Sequence, residues 1–153
     1  MDYLPCVEIE PQQPAVASVI WLHGLGDSGE KWATVTQRLQ MPWARFVFPS
    51  APVRRTRMRL RPTAAWFNVR ALDPAEEEDV EGINEAAAYV NDLVAAEEAR
   101  GIPPERIALV GFSMGGATVL SAGMQRQGRA QVSVTTAATL KLLNPLDCGE
   151  WGG

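Results

Sequence analysis

The chain has 153 residues, 46% of them hydrophobic and 21% charged, with a net charge of −4; one domain is expected, large enough to bury roughly 68–70% of its unfolded surface. Two cysteines, Cys6 and Cys148, stand near opposite ends, which excludes a disulfide framework and suits a reducing cytosol. No run approaches about 18 apolar residues, so a membrane-spanning helix is excluded, and the mild charge argues for solubility without naming a partner.

The opening, MDYLPCVEIEPQQPAVAS, has no basic n-region and no apolar h-region, so no secretory leader is expected. Cys6 lacks a second anchoring signal and reads as a plain thiol rather than an acylated anchor. ASVIWL, Ala17 to Leu22, is a short β-prone apolar run that suits a buried strand. HGLGDSG follows as a tight glycine loop, after which Asp27 or Ser28 caps a helix from about Gly29 to Leu39. RFVFP, Arg45 to Pro49, is the next strand, and Ala51 to Pro62 is basic and irregular. A short extended piece is expected over AWFNV, Ala65 to Val69.

The acidic segment Leu72 to Gly82 leads a long helix whose stripe is Ile83, Ala87, Val90 and Val94. The helix dipole favours acidic residues at that end. Gly101, Pro103 and Pro104 stop the helix. RIALVG, Arg106 to Gly111, is a third strand, a helix runs from about Met114 to Gln127, and QVSVTT, Gln131 to Thr136, is a fourth strand. Strands alternating with helices predict an α/β fold, a mostly parallel sheet with helices on both faces.

Two motifs carry chemistry. GFSMGGA, Gly111 to Ala117, sits between a strand and a helix, the setting that a nucleophile elbow requires. The turn there is so sharp that its neighbours must lack side chains, which Gly111 and Gly115 provide. Ser113 then projects beside a helix N-terminus that favours negative charge. In HGLGDSG, Gly24 and Gly26 let backbone N–H groups turn towards that serine. The N–H groups of Leu25 and Met114 are the candidate oxyanion donors, each worth about 3–4 kcal/mol in such sites. The rival reading, a phosphate loop, needs a lysine–hydroxyl pattern or G-x-G-x-x-G that this stretch lacks.

With these motifs the chain resembles the acyl-protein thioesterase and carboxylesterase family (phospholipase/carboxylesterase) of α/β-hydrolases. The matching stretches are IWLHGLGDSG, FVFPSAPVR, AWFNV, EDVEGI and GIPPERIALVGFSMGGA, in the family's order. The resemblance implies hydrolysis of carboxylic esters and thioesters, lipidated proteins carrying S-palmitoyl groups included, in the cytoplasm and without metal or cofactor. It implies no nucleic-acid partner and no stable membrane insertion, and leaves the oligomeric state unknown. It gives Ser113 the nucleophile's role and His23 a supporting place at the start of the oxyanion loop. The family often has His where this chain has Ser50, and commonly Gln where it has Met114. Arg54, Arg55, Arg57, Arg59 and Arg61 form a basic cluster; it reads as a solvated loop balanced by the acidic run, or as a surface for acidic partners or anionic lipid.

The family's triad continues with an Asp and then a His beyond the serine. From Gln131 onward the sequence does not resemble that continuation: it has no histidine, and its only acids are Asp147 and Glu150. His23, the single histidine, lies in the other motif. The expected organisation is therefore residues 1–130 as the N-terminal part of a hydrolase and 131–153 as a divergent tail, with the sheet's last strands missing and the C-terminal part truncated or altered. Ser113 is then left without a proton acceptor and turnover is feeble. The alternatives are a non-catalytic fragment that binds acyl chains or a partner, a site completed by another chain, and an incomplete gene model.

Overall fold

The computed structural model describes residues 3–34, 38–57, 59–68, 79–126 and 131–132. Its elements in chain order are β1 (Leu4–Ile9), β2 (Ala17–Leu22), α1 (Gly29–Ala33), β3 (Ala44–Ser50), β4 (Val53–Arg54), β5 (Thr63–Ala64), α2 (Val80–Ala99), β6 (Ile107–Gly111), α3 (Met114–Gln125) and β7 (Gln131–Val132). Five strands form one sheet in the order β1-β3-β2-β6-β7. β2 lies at its centre, parallel to β3 and β6, with Ile20 opposite Val47 and Leu109. β7 pairs parallel with β6 through Gln131 and Val132; the rest of the fourth strand expected to Thr136, and the tail with Asp147, Cys148 and Glu150, lie outside the described residues.

The period of two along each central strand divides the core. Ile20, Leu22, Val47, Ile107 and Leu109 face α2 and α3, where they meet Ala86, Val90, Val94, Val119 and Ala122. Val19, Trp21, Phe46, Phe48, Ala108 and Val110 face the other way, towards Trp32 and Ala33 of α1. Helices therefore cover both faces, and strands buried on both faces read as continuous apolar runs. Ser28 caps α1 by accepting the Lys31 N–H at 3.4 Å, Asp79 caps α2 by accepting the Gly82 N–H at 3.2 Å, and Gly101 ends α2 with a φ of +93°.

Four boundaries differ from the sequence reading. β1 is an added edge strand, antiparallel to β3. It is hard to read because LPCVEI holds no fully buried residue. The α-helical part of α1 stops at Ala33, with residues 35–37 outside the described set. α3 ends at Gln125 rather than Gln127. The extended residues near AWFNV are Thr63–Ala64 instead, because Trp66 bends away to satisfy its two N–H groups against Met114 and His23.

One charged group holds three elements together. Arg45 of β3 is buried, with its side chain 2% exposed. It donates to the buried Glu97 of α2 at 3.0 Å and pairs with Glu8 of β1 at 2.6 Å and with Glu10 just beyond it. Arg100 lies 3.8–3.9 Å from the same three carboxylates. Removing one member of a buried ion pair strands the other charge, at a cost of about 3–5 kcal/mol. Arg45→Met is therefore expected to lower the urea unfolding free energy by about that amount, and Arg45→Met/Glu97→Leu to recover a good part of it. A double variant no more stable than the single one would contradict this account.

Candidate active site

At the end of β6 the backbone is held down before it turns. The Phe112 N–H donates to the Leu22 carbonyl of β2 at 3.0 Å, and the Gly115 N–H donates back to the Phe112 carbonyl at 2.9 Å. Ser113, between them, has φ 52° and ψ −117°, and is the one non-glycine residue with positive φ among the described residues. Such a conformation costs on the order of 1–3 kcal/mol and persists only where the surroundings enforce it. They do so through two glycines. A Cβ on Gly111 would sit 2.4 Å from the carbonyl carbon of Gly115, and a Cβ on Gly115 would sit 2.5 Å from the Leu22 oxygen and 2.6 Å from that of His23. Ser113 is exposed, at the N-cap of α3, and its side chain caps nothing. Among the described residues no imidazole or carboxylate is bonded to its hydroxyl.

The HGLG loop lies against this turn. A Cβ on Gly24 would come within 3.0 Å of the Phe112 ring. Gly26 has a φ of +78° and donates its N–H to the Ala64 carbonyl at 2.8 Å. Among the described residues the N–H groups of Leu25 and Met114 have no bonded partner. So the loop and the elbow meet. Ser50 stands where the sequence comparison suggested His; its hydroxyl accepts the Gly29 N–H at 3.0 Å, at the start of α1.

His23 is fully buried and both ring nitrogens are engaged. Nε2 accepts the Ala51 N–H at 3.0 Å, which places the ring proton on Nδ1, and Nδ1 donates to the Gly24 carbonyl at 2.6 Å. Neither nitrogen is left to accept a proton from Ser113. Burial pushes the imidazole pKa below its ordinary 6.5, opposed in part by the Gly24 bond. The ring therefore acts as a clamp between the HGLG loop and the segment after β3.

Sequence reasoning missed two partners of that clamp. The Trp66 indole donates to the His23 carbonyl at 2.8 Å, and its ring lies 5.1 Å from the imidazole. The Trp66 backbone N–H points at the Met114 sulfur at 3.3 Å. AWFNV was the available signal, because a buried tryptophan needs a partner for its N–H. Among the described residues no group of three or more His, Cys, Asp or Glu side chains could hold a metal ion.

The neutral His23 makes stability depend on pH. In the unfolded chain the imidazole protonates near 6.5, whereas the fold holds it neutral to lower pH. The unfolded state thus binds more protons between the two values, and stability falls as pH drops below about 6.5. The slope approaches about 1.4 kcal/mol per pH unit within that window. Because the chain has a single histidine, His23→Gln should remove most of the slope in urea titrations between neutral and mildly acidic pH. An unchanged slope would show that the ring is not held neutral.

Comparison with known proteins places this geometry in context. The family model described as Phospholipase/Carboxylesterase matches residues 5–146. Acyl-protein thioesterase 1 of Eremothecium gossypii is 42% identical over 117 residues, 73% of this chain and 50% of its own. Acyl-protein thioesterase 1 homolog 2 of Dictyostelium discoideum is 36% identical over 134 residues, 84% of this chain and 60% of its own. The crystal structure of Zea mays acyl-protein thioesterase 2 superposes with a TM-score of 0.67 at 33% identity, covering 78% of this chain and 50% of that one. The chain spans about half to three-fifths of the length of the curated relatives it matches.

Proposed function

The chain belongs to the phospholipase/carboxylesterase family of α/β-hydrolases, and from that premise we propose that it hydrolyses acyl esters and thioesters with Ser113 as the nucleophile. The observation that carries this reading is the positive φ of Ser113 at the mouth of α3. A serine held in that conformation between two glycines, with nothing among the described residues bonded to its hydroxyl, supports a reacting role over a helix cap.

In the proposed reaction the Ser113 oxygen attacks the acyl carbonyl carbon, and the developing oxyanion is met by the N–H groups of Leu25 and Met114. The alcohol or thiol leaves, and water then cleaves the acyl-serine. His23, Gly24, Gly26, Gly111 and Gly115 hold the frame. The relatives are named acyl-protein thioesterases, so lipidated proteins in the cytoplasm are the proposed substrates. We assign this half-site to residues 1–130 and treat 131–153 as a divergent tail. Among the described residues no base is bonded to Ser113, and the chain's one imidazole is spent on Ala51 and Gly24. A residual rate of roughly 10³–10⁴ over water is what binding and an oxyanion hole give without the triad. The same engaged ring favours, as the second reading, a fragment that binds acyl chains without turning them over.

Turnover of p-nitrophenyl butyrate by the 153-residue chain and by Ser113→Ala tests the proposal. The parent is expected to show a slow rate above buffer, and Ser113→Ala to abolish it. Equal rates would remove Ser113 from the chemistry, and brisk cleavage by the parent would overturn the missing base.

A further inference from the structure

The HGLG loop is fastened on two sides. On one side stand His23 and Trp66. On the other stands an aromatic pair drawn from two elements. Trp32 of α1 lies 5.6 Å from Phe112, the residue before Ser113, with the rings tilted by 38°, within the range that aromatic pairs favour. Trp21 of β2 backs the indole at 5.2 Å. The Phe112 ring closes on the loop backbone: a Cβ on Gly24 would sit 3.0 Å from its Cδ1 and 3.5 Å from its Cε1. The Trp32 indole N–H donates to Asp27 Oδ2 at 3.0 Å, and the Asp27 N–H donates to the Gly24 carbonyl at 3.2 Å. Gly24, Asp27, Trp32 and Phe112 thus form a closed circuit around the loop. Phe112 is 43% exposed, so burial in the core does not by itself account for the ring. What distinguishes it is its contact with Gly24 and Trp32.

We propose that Phe112 and Trp32 are positioning residues, a brace that sets the distance between the HGLG backbone and the Ser113 turn; its use in catalysis rests on the reading of Ser113 as nucleophile and Leu25 as a donor. An oxyanion donor acts only where its N–H lies about 2.7–3.1 Å from the oxyanion's place. A misplacement of about 1 Å costs on the order of 100-fold. Glycines at 24 and 26 give the loop little stiffness of its own, so the stiffness has to come from outside it. The Phe112 backbone is already fixed, its N–H donated to the Leu22 carbonyl at 3.0 Å. Its ring therefore carries the position of the elbow to Gly24, one residue before Leu25. Trp32 holds that ring from behind and, through Asp27, holds the far end of the same loop. Gly24 is matched to the brace, because a side chain there would force the ring or the loop to move.

The test joins amide hydrogen exchange, read by NMR on the 153-residue chain, to p-nitrophenyl butyrate kinetics on the same samples. The amides to follow are Gly26 and Asp27, both bonded within the fold. In Phe112→Ala they should exchange on the order of ten-fold faster, while the amides of β2 keep the parent's rates. The kcat should fall on the order of ten-fold, a part of the roughly 10²–10³ that loss of a donor costs, with KM unchanged, as for an interaction made only in the transition state. Phe112→Tyr, which keeps the ring, should restore both. Trp32→Phe, which keeps a ring but not the N–H to Asp27, should show a smaller loss of the same kind. If Phe112→Ala does not fold, Phe112→Leu takes its place. Parent exchange rates without the ring, a loss that Phe112→Tyr does not restore, or a raised KM at unchanged kcat would each overturn the proposal, the last assigning the ring to acyl binding. Ser113→Ala should keep the parent's exchange at Gly26 and Asp27. If its turnover also equals the parent's, the assignment of Ser113 fails, and the exchange rates still decide whether the brace exists.

Discussion

Everything at the site depends on how closely α3 approaches the end of β2. The Leu22 carbonyl takes the Phe112 N–H and also presses on Gly115, within reach of any Cβ placed there. No other residue allows that approach, and without it the turn could relax. The strain at Ser113 is therefore not a local accident of its own φ and ψ. It is set by the parallel register that puts Leu22 opposite Gly111, and so by the central pair of strands in the sheet. The apolar burial on both sides of those strands is the energy that holds a small unfavourable geometry in place.

A second layer keeps the HGLG loop against the elbow. His23, Trp66 and Met114 form a chain of contacts in which each group satisfies a buried polar atom of another segment. Its value lies in completeness: a buried imidazole with both nitrogens bonded, and an indole whose N–H reaches a carbonyl, leave nothing unmet at the join. The thioether of Met114 enters this network as a weak acceptor. That role accounts for a long, flexible side chain next to Ser113. The same completeness removes His23 from acid–base chemistry, so one residue cannot serve both as clamp and as catalyst.

The parts legible in the sequence were those governed by local rules. β2 and β6 are apolar runs buried on both faces, α2 carries its stripe and its acidic cap, and the elbow's glycines are dictated by the turn they make. What escaped reading depends on partners distant in the chain. β1 exposes half of its side chains and fully buries none, and its pairing with β3 leaves no periodic trace. Arg45 looks like one more surface arginine until β1 and α2 are placed around it. Trp66 bends out of the expected extended piece because its two donors are claimed from β2's end and from α3. Ile83 was read into the buried stripe, yet it is only half-buried, while Gly82 and Ala86 are buried.

The Arg45 cluster has a consequence for synthesis. The first strand of the protein is fastened to the sheet by charges whose full set includes Glu97, near the end of α2. A nascent chain leaving the ribosome thus carries Arg45 with Glu8 and Glu10 already made, whereas Glu97 arrives only with the end of α2. Until then the guanidinium can hold the N-terminal edge to the sheet but lacks the buried carboxylate that ties both to the helix layer.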